Sequence, residues 1–476
     1  MARIDPAALA VVASRHLGER VTIDGLRRLS GGASRETWSF DALSGSGTRT
    51  ALVLRRDPGA NTIGSSDRNS EFELVRAAGA AGVPAPGVRF LLEPGDAIGA
   101  GFVMDRIDGE TIPRKILRDD EYAAARAGMA RECGEIAARI HAVDTGTLPA
   151  MPIQGPLEQV AQYRALLDTF DEPHPVFELA LRWLEANAPA VPDEPRLVHG
   201  DFRNGNFIVG SEGIRSVLDW ELAHLGDPVE DLGWLCVKSW RFGNADQRAG
   251  GFGSVNDLLT GYRAGGGDDV DLDALRYWET MGTLKWGAIC ELQCFTHLNG
   301  LVRSVELAIL GRRVCETEWD LLDLLAPDEP RNITTLAAAD PDSGRGAANV
   351  GGTQGTGRFA ETQDRPTAAE LLEAVREFLE RDVMPAVEGR VAFHTRVAVN
   401  ALGMLEREAK LGPALDDSER ERLAGLLGHD GTVSDLTREL AASIRAGALD
   451  DRPREVVATL RASVAAKLAV ANPGYV

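Results

Sequence analysis

Residues 199–209 read HGDFRNGNFIV, followed by LDWE at 218–221 and HLGDPVEDL at 224–232. A histidine, several carboxylates and an amide stand there between apolar runs. Asn206 lies five residues after Asp201, and Asp219 eighteen residues after it. That set matches the needs of phosphoryl transfer. One carboxylate orients an acceptor hydroxyl and takes its proton, while an amide oxygen and a second carboxylate hold magnesium on the nucleotide phosphates. Mg²⁺ prefers hard oxygen ligands and keeps several waters, so one or two protein carboxylates suffice. Turn and cap preferences explain an isolated Asp or Asn, but not an ordered set between apolar strands.

Those side chains need elements to position them. LVHGD predicts a strand ending at Asp201, FRNGN turns the chain back, and NFIVG opens a second strand. IRSVLD predicts a third, with Asp219 at its end, so that the three polar side chains face one cleft. Upstream, LRRLS, RETWSF, ALVLRR, VRFLLE and GFVMDRI read as strands, and SDRNSEFELVRAAGAAG as a helix capped by Ser65 or Ser66. From residue 106 to about 330 the pattern is mostly helical.

HGDFRNGN resembles the catalytic loop of the aminoglycoside phosphotransferase family, which shares its fold with choline kinases and, more distantly, protein kinases. LDWE is similar to that family's metal-binding segment, and GDPVEDLGW to its GDP-x-x-D segment. The resemblance implies that Asp201 is the catalytic base, that Asn206 and Asp219 are the magnesium ligands, and that ATP is the donor. His199 would brace the loop, and Asp227 would cap or tether nearby backbone. LSGGASRETWSF sets Gly31, Gly32 and Ser34 between the first two strands, where backbone amides can close over phosphates. The family loop usually reads G-G-x-S-N, and Arg35 stands here where Asn is common. By alignment with V-A-I-K, ALVLRR places Arg55 where the phosphate-contacting lysine would be. Glu71 in the next helix is its natural partner. Guanidinium is a planar fork and ammonium a point charge, so the exchange is not neutral. It is common in the acyl-CoA-dehydrogenase-associated branch of the family, which this chain resembles. Arg56, on the opposite face of the strand, is expected in solvent. GFVMDRIDGETI resembles the lobe-linking segment: Met104 to Ile107 would run past the adenine, with Met104 equally readable as core. LKWGAICELQCFTHLNG and VELAILGRRVCETEWDLLDLL resemble that branch's closing helices. Trp286, Arg312 and Arg313 would there either reach substrate or, for the arginines, pair with glutamates along the helices.

Elements and resemblance together imply an α+β, bilobal, protein-kinase-like fold. A small antiparallel β-sheet N-lobe (1–105) precedes a mostly helical C-lobe (106–335) carrying the catalytic loop. Residues 336–366, rich in Gly, Ala, Ser, Asp and Thr, read as a flexible linker. Residues 367–476 then form a separate all-α domain, opened by a Thr367/Glu370 capping box. Its first helix has an apolar face of Leu371, Leu372, Val375, Phe378 and Leu379. FHTRVAVNALGMLERE and the terminal NPGY resemble a small helical family encoded beside or fused to such kinases.

The chain of 476 residues carries a net charge of -21. Such acidity argues against nucleic acid as a partner. No apolar stretch is long enough for a membrane helix. The N-terminus reads as a helix with Asp5 as N-cap and Pro6 in its first turn, not as a signal peptide. The five cysteines show no metal-type spacing, and Cys290 and Cys294 read as buried thiols. These features predict a cytoplasmic protein. The acceptor is the open question. The resemblance points to a hydroxyacyl-CoA or related hydroxy acid, with the helical domain as an accessory that contacts the kinase part or the acyl-CoA. An aminoglycoside or amino-alcohol kinase and a non-catalytic nucleotide-binding pseudokinase remain as alternatives.

Overall fold

A computed structural model describes residues 4–29, 36–57, 68–96, 98–329 and 367–475. The chain opens with α1 (Pro6–Leu17), then β1 (Val21–Arg28), β2 (Glu36–Ser44), β3 (Arg49–Arg56), α2 (Arg68–Ala80), β4 (Val88–Leu91) and β5 (Gly101–Asp105). Helices α3 (Pro113–Arg118), α4 (Ala123–His141), α5 (Pro156–Leu167) and α6 (Pro175–Ala186) follow. Four short strands come next: β6 (Arg196–Val198), β7 (Phe207–Val209), β8 (Ile214–Val217) and β9 (His224–Gly226). The rest is helical: α7 (Val229–Cys236), α8 (Val255–Ala264), α9 (Leu272–Leu298), α10 (Val305–Leu310) and α11 (Val314–Leu325). Beyond residue 366 come α12 (Ala368–Phe378), α13 (Gly389–Leu427), α14 (Val433–Arg445) and α15 (Pro453–Ala471). The described residues group into two compact units, 1–158 with 189–282 and 159–188 with 283–476. The stretch expected as a linker and the Ser65/Ser66 cap lie outside the described residues.

In the first unit β1 to β5 form an antiparallel sheet in the order β1-β2-β3-β5-β4. Alternation along β3 sorts its side chains. Leu52 and Leu54 join Phe40, Val103 and the α1 residues Leu9, Val12 and Ala13 on one face. Val53 joins Phe102 and Met104 on the other, with Phe72 of α2 packed against them. α1 starts where Asp5 accepts the Ala7 amide at 3.0 Å, as the sequence predicts. β1 begins at Val21, earlier than the LRRLS strand expected.

Arg56, on the Leu52 and Leu54 face, is not in solvent. Its side chain is 8% exposed, with Nη2 2.7 Å from Glu36 Oε2 and Nη1 donating to the Ile98 carbonyl at 2.9 Å. Glu36 is its direct cross-strand neighbour. The expectation of a solvated Arg56 fails because strand alternation tells opposite faces apart but not which face is wet.

Leu74, Val75 and Ala78 of α2 enter a larger core with Met129, Ile136, Phe202, Phe207, Trp220 and Leu258. α4 and α8 meet there closely: a Cβ on Gly261 would lie 1.9 Å from the Arg131 carbonyl oxygen. β7 pairs with β8, and β6 with β9, a strand the sequence reading did not anticipate.

In the second unit Leu436, Leu440, Ile444, Leu460, Val464 and Leu468 are buried. The Thr367/Glu370 capping box is present at the start of α12. Leu371, Val375 and Phe378 of α12 are about half exposed, so the anticipated apolar face is only partly covered. Gly389–Leu427 is one long helix, α13, with Pro413 inside it. Arg312 pairs with Glu408, and Arg313 with Glu316. Cys290 is buried and Cys294 partly so. Among the described residues no helix is long and apolar enough to cross a membrane.

Candidate active site

The loop 199–206 joins β6 to β7 and is tied down from behind. Gly200 has φ 76°, and a Cβ there would sit 2.3 Å from the Leu222 carbonyl oxygen, so only glycine fits. Asp231, fully buried on α7, accepts the His199 amide at 2.8 Å and the Gly200 amide at 3.0 Å. It also accepts His141 Nε2 at 3.1 Å, and His141 Nδ1 pairs with the Tyr262 hydroxyl at 2.9 Å. Burial alone would raise the Asp231 carboxyl, but His141, His199 and the backbone donors hold it below the ordinary carboxylate range. His199 Nδ1 accepts the Asp201 amide at 3.2 Å, which makes it the bracing residue expected. Burial pushes His199 below the ordinary imidazole range, although Asp231, Asp201 and Asp219 pull it up. Asp227 caps Val229 at 2.9 Å and accepts the Trp278 indole at 2.8 Å, the tethering role expected. Burial raises its carboxyl above the usual range.

At the front of the loop the Asp201 carboxylate is aimed by three donors. Oδ1 accepts Arg203 Nε and Trp234 Nε1, each at 2.8 Å, and Oδ2 accepts Asn206 Nδ2 at 2.6 Å. The Arg203 guanidinium carbon itself lies 4.3 Å over the Trp240 ring. Because a carboxylate can only accept, the Asn206 nitrogen must face Asp201, and its amide oxygen points away.

Asp219 lies two residues beyond β8, not at the strand's end as expected, and takes a left-handed φ of 70°. The Asn206 carbonyl accepts the Leu218 amide at 2.8 Å, which stitches the loop to this segment. Arg55 reaches across from β3, with Nη2 2.8 Å from Asp219 Oδ1 and 3.3 Å from Glu71 Oε1. Burial works against its charge, but Glu71 and Asp219 outweigh that and raise its pKa. Glu71, on α2, is buried and also pairs with Arg68. Arg68 anchors in turn on Asp57, Nε to Oδ2 at 3.0 Å.

The structure therefore brings Arg55, Glu71 and Asp219 into one ion-paired group, and Asp201 and Asn206 into a hydrogen-bonded pair, the two joined through backbone. Met104 packs in the sheet core beside Val53 and Phe102, and Ile107 is half-buried. Gly31, Gly32 and Ser34 lie outside the described residues. The sequence reading missed Asp231, Trp234 and Arg203. The signal for the first was the second aspartate of GDPVED, set between apolar neighbours. An outward amide oxygen and a carboxylate on adjacent backbone form the hard-oxygen set that magnesium prefers, so the residues present fit that ion.

A family model described as the phosphotransferase enzyme family matches residues 25–272, and one described as a domain of unknown function matches residues 385–475. Mouse acyl-CoA dehydrogenase family member 10 is 33% identical over 201 residues, 39% of this chain and 18% of that protein. Chicken acyl-CoA dehydrogenase family member 11 is 30% identical over 196 residues, 39% of this chain and 25% of that protein. The chain thus spans a quarter or less of these relatives' lengths. A crystal structure from Ralstonia eutropha, of a protein assigned as an aminoglycoside phosphotransferase, superposes with a TM-score of 0.54 at 21% identity. It covers 67% of this chain and 98% of its own, and shows the kinase-like fold. Since the family match at residues 25–272 takes in more than half of the 476 residues, the chain belongs to the phosphotransferase enzyme family.

Proposed function

We propose that this enzyme transfers the γ-phosphoryl group of ATP to a hydroxyl of a small molecule, with a hydroxyacyl-CoA or related hydroxy acid as preferred acceptor. The Asp201 carboxylate accepts the acceptor's hydroxyl proton, the acceptor oxygen bonds to the γ-phosphorus, and the bond to ADP breaks. Arg203, Trp234 and Asn206 aim that carboxylate. Magnesium held by Asn206 and Asp219 would offset the phosphate charge. Arg55 contacts phosphate, with Glu71 holding its guanidinium, while Gly31, Gly32 and Ser34 close over the phosphates and Met104 to Ile107 flank the adenine.

The observation that carries this reading is the Glu71–Arg55–Asp219 chain of ion pairs beside the Asp201–Asn206 loop. A pseudokinase has no need of the aimed carboxylate. Kinship with proteins named acyl-CoA dehydrogenase family members supports the CoA acceptor. The test is ADP release from ATP with short hydroxyacyl-CoAs, free hydroxy acids, a choline-like alcohol and an aminoglycoside. Turnover with hydroxyacyl-CoA or hydroxy acid is expected. Turnover with the aminoglycoside alone would replace that acceptor, and nucleotide binding without any transfer would overturn the kinase chemistry.

A further inference from the structure

One cluster of polar side chains in the second unit, all but one of them largely buried, has no part in phosphoryl transfer. His174 stands immediately before α6, Glu172 two residues earlier, Glu291 on α9 and Glu318 on α11. The His174 side chain is 9% exposed, that of Glu291 6% and that of Glu318 1%. His174 Nδ1 lies 3.1 Å from Glu318 Oε1. A carboxylate can only accept, so Nδ1 carries the proton in that bond. Lys467 Nζ, 2.9 Å from Glu318 Oε2, balances the Glu318 charge. The other ring nitrogen is in a different situation. His174 Nε2 faces Glu291 Oε2 at 3.6 Å, too far for a hydrogen bond. Nε2 and both Glu291 carboxylate oxygens are buried without a hydrogen-bond partner. Buried polar atoms are rarely left so. Glu172 completes the set: one oxygen from each carboxylate and a ring nitrogen of His174 lie within 4.8 Å of one another.

We propose that Glu172, His174 and Glu291 bind one divalent transition-metal ion of the zinc type, with Glu318 orienting His174. Imidazole nitrogen with carboxylate oxygen is a zinc donor set, whereas magnesium and calcium take oxygen alone. Bonds of about 2.0–2.2 Å at a tetrahedral centre set neighbouring donor atoms about 3.3 Å apart, close to the separation of His174 Nε2 and Glu291. A metal-bound histidine characteristically donates its second ring N–H to a carboxylate, which is the part Glu318 plays. Glu172 and His174 also line a surface cleft with Asp168, Asp171, Arg438 and Arg445, so an ion can enter from solvent. Three protein ligands leave a fourth position for water or an anion. Bound there, the ion fastens the segment before α6 to α9. None of this rests on the kinase reading.

The test is metal uptake by the full chain, stripped with a chelator and titrated with Zn²⁺ and, in parallel, Co²⁺. Wild type should hold one Zn²⁺ per chain, show visible Co²⁺ absorption bands, and unfold at a higher temperature with zinc. Asp219→Asn, which removes a carboxylate from the phosphotransferase site, should behave the same. Glu318→Gln should weaken binding about 10–100-fold, and Glu291→Gln should weaken it further. Glu172→Gln changes an exposed residue and leaves folding intact, so its loss of the Co²⁺ bands reads the site directly. No stoichiometric uptake by wild type would overturn the proposal and leave a protonated His174 paired with Glu291 and Glu318. So would uptake unchanged in both Glu172→Gln and Glu291→Gln, or lost only in Asp219→Asn.

Discussion

Asp231→Asn is the sharpest single perturbation of the catalytic loop. The wild-type carboxylate satisfies three donors, the His199 and Gly200 amides and His141 Nε2. Asparagine has nearly the same volume but only one accepting oxygen. Either way round, its NH₂ group meets at least one buried N–H. An unsatisfied buried donor costs about 1–3 kcal/mol, so a loss of about 1–3 kcal/mol is expected. For a unit of this size that lowers the thermal midpoint by roughly 2–12 °C. Trp220 reports the loss locally, since it packs on His199 at a centroid distance of 4.5 Å. Asp231 touches no nucleotide-facing side chain, so KM for ATP should hold while kcat falls on the order of 100-fold, the cost of displacing a catalytic group by about 1 Å. The assay is tryptophan-detected melting beside steady-state ADP release. A midpoint and kcat both equal to wild type would refute the reasoning, because the loop would then be held by something other than Asp231.

Other expectations follow from the same geometry. Arg55→Ala should raise KM for ATP about 10–100-fold, the worth of a charged hydrogen bond, and Arg55→Lys should recover part of it; equal KM in all three would remove Arg55 from phosphate contact. Arg56→Ala removes the buried guanidinium from Glu36, which keeps Trp38 and Arg28, and should destabilise the chain by about 1.5–3 kcal/mol, the worth of a charged hydrogen bond, read by denaturant melts, with kcat retained at temperatures where the variant is folded. Asp231 has a depressed folded pKa. Its stabilisation is therefore fully present above the unfolded carboxylate value of about 3.9 and lost as pH falls through the folded value. Wild-type stability should drop faster than that of Asp231→Asn below about pH 4, and parallel acid profiles would contradict the assignment.

The residues that meet in the site were readable because each has a local signature. Asp201, Asn206 and Asp219 are polar positions spaced between apolar strands, while Arg55 follows from alignment with the V-A-I-K pattern and Glu71 from its place in the next helix. The restraint behind them was not readable. Asp231 stands 32 residues beyond His199 and 31 beyond Gly200, and only the packing of α7 against the loop makes it an acceptor for both amides. β9 is three residues long, too short for an alternation signal. Arg56 looked solvated because its partners, Glu36 on β2 and the Ile98 carbonyl, are brought to it only by the folded sheet and its loops. α13 passes through Pro413 although proline removes a helix hydrogen bond; packing against α12, α14 and α15 overrides the local preference.

The most direct test of phosphoryl transfer by this site is Asp201→Asn, measured in a single turnover with the best acceptor of the panel and by ATP–Mg²⁺ binding on the same preparation. Loss of the base should slow transfer about 10²–10⁴-fold with nucleotide affinity within about threefold of wild type, because the change acts on chemistry more than on ground-state binding. Near-normal transfer by Asp201→Asn would contradict the account.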